Sequence, residues 1–191
     1  MKKAFTIVEV SILFVIFLIV AFLVAPLAVD DTIQAKNTSR WRSVQQDFSN
    51  IFYTINTQNI SKQKFYSVFE KTVSNEVKED IKPYKITFLN GTYPSNTYRF
   101  SNFKMTYSNA TVAYKFFDEP EENLLGILMY DINGKTGPNT WGKDVFGLNI
   151  YYDKFEPIGK NESLSLQKQD CSKNGTGLFC SNYYLIGGSF D

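Results

Sequence analysis

The chain has 191 residues, with 20 lysine or arginine and 19 aspartate or glutamate residues, so its formal net charge is +1. This balance gives no general electrostatic basis for binding nucleic acid, and we expect no nucleic-acid partner. Histidine is absent, which removes the commonest general base and the commonest transition-metal ligand from any candidate site.

The N-terminal stretch has the most distinctive pattern. Lys2 and Lys3 precede an apolar run from Ala4 to Val29, in which Glu9 is the only ionisable side chain. About 20 apolar residues cross a bilayer core as a helix, so we expect this segment to span a membrane. The two lysines favour a cytoplasmic N-terminus. A carboxylate inside such a segment costs roughly 2.5–3.5 kcal/mol, which marks Glu9 as a functional residue.

The residues at the start of this run resemble a known signal. A basic leader, a small residue, Phe5-Thr6-Ile7-Val8-Glu9 and a long apolar helix are similar to the class III signal of type IV pilins and type II secretion pseudopilins. The resemblance implies that a prepilin peptidase cuts between Ala4 and Phe5 and methylates the new amine of Phe5. It also implies that Glu9 pairs with that amine on a neighbouring subunit during filament assembly. The family usually has glycine where this chain has Ala4.

Two other interpretations of the N-terminus remain open. One is a plain uncleaved anchor. The other is a secretory signal, although such signals have a shorter apolar core of about 7–15 residues. Pro26 lies where the helix of the pilin family usually has a proline, and we expect a helix kink there because proline lacks an amide donor.

The remainder of the chain predicts a helix followed by a head domain. Trp41, Val44, Phe48, Ile51 and Ile55 are spaced by three and four residues, so they share one helix face. The predicted organisation is a leader at 1–4, a transmembrane half of a long helix at 5–29, an amphipathic half at 30–56 and a globular head at 57–191.

The head combines one further helix with several strands. Phe65, Phe69 and Val73 repeat at a helical period, and Lys82-Pro83 is expected to end this second helix. Six short β-branched and aromatic runs follow and predict antiparallel strands: ITFLN, YRFSNFKMTY, TVAYKFF, LLGILMYDI, VFGLNIYY and YYLIGG. The predicted fold class is α+β and pilin-like, with a long N-terminal helix, its first half membrane-spanning, packed against a small antiparallel β-sheet.

Two cysteines enclose a short loop near the C-terminus. Cys171 and Cys180 are expected outside the cytoplasm, where such a pair forms a disulfide. A pair of free thiols is the alternative, because a sequence does not show sulfur geometry.

The densest cluster of turn residues lies at 131–144. Oxygen-bearing side chains at Asp131, Asn133, Asn139 and Asp144 are similar to calcium-loop chemistry. Lys135, however, occupies a position where a ligand oxygen is expected, and no glutamate closes the loop. Asn-Gly and Gly-Pro are also common turn formers. We therefore favour a structural turn, retain calcium as the weaker alternative, and expect no cofactor.

These observations favour assembly over catalysis. The sequence has no glycine-rich phosphate loop, no Gly-x-Ser-x-Gly motif and no cysteine with a plausible base, so we do not expect an enzyme. The function that the resemblance implies is a subunit, minor pilin or pseudopilin, of a type IV pilus or a type II secretion pseudopilus. Its partners would be the membrane, the prepilin peptidase and other pilin or pseudopilin subunits.

The same resemblance implies a location. The precursor would be a single-pass protein of the bacterial inner membrane with its head in the periplasm, and would later enter the filament. The alternative is a permanently membrane-anchored exported binding domain, which predicts an uncleaved N-terminus and no self-assembly.

Overall fold

The computed structural model describes residues 7–56, 62–121 and 123–189. Within these ranges, the side chains of residues 9, 23–31, 54–56, 62–63 and 120–121 lie outside the description. Four α-helices are described, namely α1 (Ile7–Asn56), α2 (Lys62–Glu76), α3 (Leu164–Asp170) and α4 (Cys180–Tyr183). Six strands are described, namely β1 (Val77–Asp80), β2 (Lys104–Thr106), β3 (Thr111–Glu121), β4 (Leu124–Asp131), β5 (Val145–Tyr151) and β6 (Phe155–Pro157).

The chain divides into two compact units, residues 1–36 and residues 37–191. Helix α1 contributes residues to both units. The first unit contains the N-terminal part of α1. The second contains the remainder of α1 and all the other helices and strands.

The predicted membrane-spanning helix is not supported. Among the described residues, no helix combines the length and the apolar character that crossing a bilayer requires. The predicted fold class, with its membrane-spanning first half, and the predicted single-pass inner-membrane location are therefore wrong.

The second unit is built on one antiparallel sheet in which neighbouring strands follow the chain order, β1 to β6. The longest pairings join β3 to β4 and β4 to β5. Short connections join β2 to β3, β3 to β4 and β5 to β6, as an antiparallel pair allows. The longer segments 81–103 and 132–144 lead from β1 to β2 and from β4 to β5. Strands β1 and β2 are short, and a register irregularity between Val77 and Glu79 interrupts their pairing.

Both faces of the sheet are covered, which explains the nearly continuous apolar sequence of β4 and β5. One buried cluster joins Leu128 and Phe146 to Trp41 and Phe48 of α1 and to Phe69 of α2. Successive strand residues point to opposite faces, and the second cluster therefore uses the intervening positions. It contains Ala113, Ile127, Met129, Val145 and, from outside the strands, Phe88, Phe100, Phe103, Trp141, Ile158 and Leu178.

The predicted helix face of α1 is largely confirmed. Trp41 and Phe48 are buried, and Val44 and Ile51 are partly buried against the same cluster. The side chain of Ile55 lies outside the described residues. Phe52 is also buried, although the three-and-four spacing did not include it.

Several predicted elements differ from the structure. Helix α2 carries Phe65, Phe69 and Val73 to the core as predicted, but it ends at Glu76, and β1 follows it where helix was expected. Val77 pairs with Thr106, so an edge strand forms there. The run ITFLN makes only one isolated bridge, from Thr87 to Thr140. The run YYLIGG is not a strand: its first tyrosine ends α4 and turns follow.

Candidate functional sites

The predicted processing site lies outside the described residues. This applies to Ala4 and Phe5, between which cleavage is expected. Glu9 and Pro26 belong to the described backbone of α1, but their side chains lie outside the description. The roles of Glu9 in assembly and of Pro26 in a kink therefore remain predictions.

The described side chains of the N-terminal part of α1 form an exposed apolar surface. Its large apolar residues, namely Ile7, Val8, Val10, every residue from 12 to 20, and Phe22, are from 49 to 85 % exposed. At 3.6 residues per turn this stretch covers every face of the helix. The only polar side chain between Val10 and Phe22 is Ser11, whose hydroxyl donates to the Ile7 carbonyl at 2.8 Å. This surface therefore offers apolar contact on all sides and almost no polar recognition.

The C-terminal part of α1 is attached to the head by packing and by hydrogen bonds. Trp41 is fully buried and stacks on Phe146 with ring centroids 5.1 Å apart. Its indole Nε1 donates to the Ser181 carbonyl at 2.7 Å. Asn37 Nδ2 donates to the Lys143 carbonyl at 3.1 Å, and Arg42 donates to the backbone of the C-terminal segment. These bonds join α1 to residues more than a hundred positions away, within the second unit.

The predicted disulfide between Cys171 and Cys180 is confirmed, with Cα atoms 5.0 Å apart. Asp170 organises the loop that the disulfide closes. Its carboxylate accepts hydrogen bonds from the backbone amides of Thr176 and Phe179 at 2.8 and 2.9 Å. The disulfide and this carboxylate together hold a loop that has little regular secondary structure.

A groove of about 660 Å³ lies between α1, α2 and the β2–β3 connection. Its apolar lining includes Val44, Phe48, Val73 and Val112, and Asp47 and Glu76 also line it. The lining supplies no cysteine or lysine, and the chain has no histidine. The hydroxyls of Thr106 and Ser108 also line the groove and lie 2.9 Å apart, bonded to each other.

The two aspartates of the loop 131–144 are buried within the head. Asp131 and Asp144 are both 0 % exposed. Asp144 accepts hydrogen bonds from the backbone amides of Asn139 at 2.9 Å and Thr140 at 2.7 Å. It therefore fixes the part of the loop that carries Asn139. Burial raises the pKa of Asp144, and the backbone hydrogen bonds from Thr140 and Asn139 oppose that shift.

Asp131 lies at the end of β4 and has a partner from a distant segment. The hydroxyl of Tyr84 donates to Asp131 Oδ2 at 2.7 Å, and the amide of Asn133 donates to Oδ1 at 3.2 Å. Burial raises the pKa of Asp131 to about 8, and the negative charge of Asp144 adds to the shift, whereas the bond from Tyr84 opposes it. Burial also raises the pKa of Tyr84, and the charge of Asp131 adds to that shift.

The side-chain amide of Asn139 lies beside Asp131 in the same loop. One of its terminal positions lies 3.2 Å from Asp131 Oδ2 and 2.9 Å from the Gly134 carbonyl oxygen. With nitrogen in that position the amide donates two hydrogen bonds. With oxygen there, three oxygen atoms converge without a hydrogen between them, and the nitrogen instead donates to the Lys135 carbonyl at 3.4 Å.

Sequence reasoning identified four members of this group but not the others. It singled out Asp131, Asn133, Asn139 and Asp144 from their spacing, and the structure places them in one hydrogen-bonded loop. Tyr84 was not found, because nothing in the sequence connects a tyrosine with an aspartate 47 residues away. Among the described residues, no three histidine, cysteine, aspartate or glutamate side chains are grouped as a metal site.

Comparison with protein-family models, with curated proteins and with solved structures gives no match for this chain.

Proposed function

We propose that this chain is a structural subunit of a type IV pilus or a type II secretion pseudopilus, assembled through the N-terminal part of α1. The observation that carries the proposal is the exposed surface from Val10 to Phe22, which is apolar on every face of the helix apart from the side chain of Ser11. Monomeric soluble proteins rarely expose contiguous apolar patches larger than a few hundred Å². A helix with this surface needs other apolar surfaces around it.

The distribution of the apolar residues favours many copies over a pair. A helix that packs on one partner carries a single apolar stripe, whereas a helix that is apolar all round is buried on all sides. A two-fold dimer covers one self-complementary patch, but a head-to-tail interface that does not close generates a helical filament. In a filament, each α1 is surrounded by the α1 helices of several neighbours, and every face is covered.

The head lacks a continuous apolar surface like that of the N-terminal part of α1 among its described residues. This difference supports a position for the head on the outside of the filament. Most of its large apolar side chains are buried in two clusters, on the two faces of one sheet, and the exposed ones, such as Tyr93 and Leu164, are scattered along the chain. Trp41, Asn37 and Arg42 join it to the C-terminal part of α1. The head therefore needs no partner to bury its core, and assembly is left to the N-terminal part of the helix.

Glu9 would give the assembly its register. Cleavage between Ala4 and Phe5 creates an α-amine on Phe5, and the carboxylate of Glu9 would pair with that amine on a neighbouring subunit. A buried charge without a partner costs several kcal/mol, whereas a well-placed opposite charge offsets much of that cost. Subunits with the wrong axial offset would leave both charges unpaired, so this pair selects one offset.

The experiment replaces Glu9 in the full chain, expressed in the cells that make it, and measures the fraction of the protein in sheared filaments. Glu9→Ala is expected to reduce incorporation at least tenfold while the cellular amount of the protein stays the same. Ser11→Ala is the matched control, because Ser11 lies two residues away and its hydroxyl bonds only its own helix; it should assemble normally. Unchanged incorporation of Glu9→Ala would contradict the proposed pairing, and absence of the wild-type chain from any filament would contradict the function itself.

A further inference from the structure

Six asparagines in this chain begin an Asn-x-Ser/Thr triplet, the sequence that accepts N-linked sugars. They are Asn37, Asn59, Asn90, Asn109, Asn161 and Asn174. The disulfide of the head is typical of secreted and extracellular proteins, in which surface loops carry such acceptors. The triplet is short and also arises by chance, so burial and hydrogen bonding have to separate an acceptor from the other five. Asn59 lies outside the described residues.

Three of the described triplets are engaged in the fold. Asn37 is 7 % exposed, and its amide nitrogen already donates to a backbone carbonyl of the head. The hydroxyl of the triplet at Asn109 belongs to Thr111, which is 1 % exposed in β3. The hydroxyl of the triplet at Asn161 belongs to Ser163, which caps helix α3. In each case the asparagine or its hydroxyl partner has a structural role that an attached sugar would disturb.

The two remaining triplets have the same sequence, Asn-Gly-Thr, and begin at the exposed residues Asn90 and Asn174. They differ in the bonds of the threonine. Thr92 Oγ1 donates to Asn90 Oδ1 at 2.7 Å, and the Thr92 amide donates to the same oxygen at 3.0 Å. Thr176 Oγ1 and the Thr176 amide instead donate to Asp170 Oδ1, at 2.6 and 2.8 Å. Among the described triplets, the hydroxyl therefore reaches its own asparagine only at Asn90.

The space around the two turns differs in the same sense. A Cβ atom placed on Gly91 meets nothing within 4 Å, so this turn is open to a bulky substituent. A Cβ atom placed on Gly175 would collide with the carbonyl oxygen of Asp170. The first turn is also fixed in place, because the Gly91 amide donates to the Phe88 carbonyl at 3.0 Å. Of two identical sequences, the one at Asn90 is thus both accessible and pre-organised.

The two hydrogen bonds to Asn90 Oδ1 favour a reaction at Nδ2. An amide nitrogen is a poor nucleophile, because its lone pair is delocalised onto the carbonyl oxygen. When Nδ2 loses a proton, negative charge develops on Oδ1, and donors at 2.7–3.1 Å from such an oxygen stabilise that charge. Both donors of Thr92 lie within this distance. In the described part of the chain, Nδ2 of Asn90 donates to no other group, and the residue is exposed.

We propose that Asn90 is an N-glycosylation site and that Asn174 is not. This chain is the acceptor, and a separate transferase of the cell supplies a sugar whose anomeric carbon C1 is bonded to a phosphate oxygen. Asn90 Nδ2 forms a bond to C1, the bond from C1 to oxygen breaks, and its electron pair leaves with the phosphate. The proton that Nδ2 loses goes to a base of the transferase. The site lies in the head, so its use is independent of filament assembly.

The test is peptide mass analysis of the full chain, purified in mild detergent from the cells that make it. After reduction, trypsin cleaves behind Lys85, Arg99 and Lys173, which separates peptide 86–99 with Asn90 from peptide 174–191 with Asn174. More than half of peptide 86–99 is expected to be heavier by one glycan, and fragmentation should locate the glycan on Asn90. Peptide 174–191 should have the mass of its sequence.

Substitutions in the same cells separate the role of the hydroxyl from that of the turn. Thr92→Val keeps the shape of the side chain but removes the hydroxyl, and should reduce the glycosylated fraction at least tenfold. Thr92→Ser restores the hydroxyl and should retain the glycan. Thr97 is exposed in the same peptide but follows Asn96 directly and belongs to no triplet, so Thr97→Val is the matched control and should leave the glycan unchanged.

Each result decides the proposal. Peptide 86–99 found only at the mass of its sequence in the wild type would overturn it, as would a glycan that fragmentation locates on a serine or threonine. Equal glycosylation of Thr92→Val and wild type, or loss of the glycan in Thr92→Ser, would refute the role of the hydroxyl. A glycan on Asn174 at the same level as on Asn90 would show that the hydrogen bonds of the turn do not select the site.

Discussion

The attachment of α1 to the head depends most on Trp41, and its loss can be estimated from the structure. The side chain is fully buried, stacks on Phe146 and donates a 2.7 Å hydrogen bond to the Ser181 carbonyl. Truncation of a buried tryptophan or phenylalanine to alanine costs about 3–5 kcal/mol. Loss of the hydrogen bond adds about 1 kcal/mol, because the Ser181 carbonyl then stays buried without its donor. We therefore expect Trp41→Ala to lower the free energy of unfolding by about 4–6 kcal/mol.

Trp41→Phe separates the two contributions. Phenylalanine keeps an aromatic ring against Phe146 but cannot donate to Ser181, so the expected loss is about 1–2 kcal/mol. Tyr53 is 72 % exposed on the same helix, and Tyr53→Ala is the control, with an expected change below about 0.5 kcal/mol.

The assay is urea unfolding of the full chain in a mild detergent, followed by tryptophan fluorescence. Because the chain has two tryptophans and the other, Trp141, is buried in the second core cluster, every variant keeps a reporter of head unfolding. A loss below about 1 kcal/mol in Trp41→Ala would refute the reasoning, because the helix would then not be part of the cooperative core. Equal losses in the alanine and phenylalanine variants would refute the partition between packing and hydrogen bonding.

Two further predictions concern the head. Replacement of both Cys171 and Cys180 by serine should lower the free energy of unfolding by about 2–3 kcal/mol. Reduction of the wild type should have the same effect in urea unfolding. If the double variant or the reduced protein is as stable as the oxidised wild type, the structural role of the disulfide is contradicted. Glu156 is buried, which disfavours its charge, but hydrogen bonds and attraction from Lys160 and Lys154 outweigh burial and hold its pKa below the ordinary 4.5. Its ionised form therefore stabilises the fold above that pH, and this contribution disappears as the pH falls through the folded pKa. Glu156→Gln should be less stable at pH 7 and show a flatter decline below pH 4.5 in unfolding measured across pH, whereas an unchanged profile would argue against the assignment.

Hydrophobic periodicity correctly predicted the helices whose buried residues recur at the helical period. Trp41 and Phe48 in α1, and Phe65 and Phe69 in α2, follow the helical period and are buried. The central strands were also predicted, because β-branched and aromatic residues fill both faces of a covered sheet. In these cases the local pattern and the tertiary environment agree.

The sequence pattern predicted the wrong element where strand pairing in the folded chain determines the secondary structure. VKED has the composition of an exposed helix, but it forms the edge strand β1 because β2 pairs with it, and charged residues suit such an edge. YYLIGG was interpreted as a strand because a short apolar run does not distinguish strand from helix. In the structure β6 pairs with β5 instead and is the last strand of the sheet.

The candidate sites were predictable only where their residues are close in sequence. The spacing of Asp131, Asn133 and Asn139 identified the loop, and Cys171 and Cys180 were correctly paired. The contributions of Tyr84 and Thr111 come from other segments, and only the folded chain brings them to Asp131. A membrane-spanning segment was predicted from a run of apolar residues. Among the described residues, no helix is long and apolar enough to cross a membrane.

Intact-mass and N-terminal analysis of the protein from sheared filaments tests the central claim most directly. The account predicts a chain that begins at methylated Phe5, because only cleavage after Ala4 creates the amine that Glu9 would bind. A chain that still begins at Met1, or a protein that is absent from the filament fraction, would contradict the proposed role as a filament subunit.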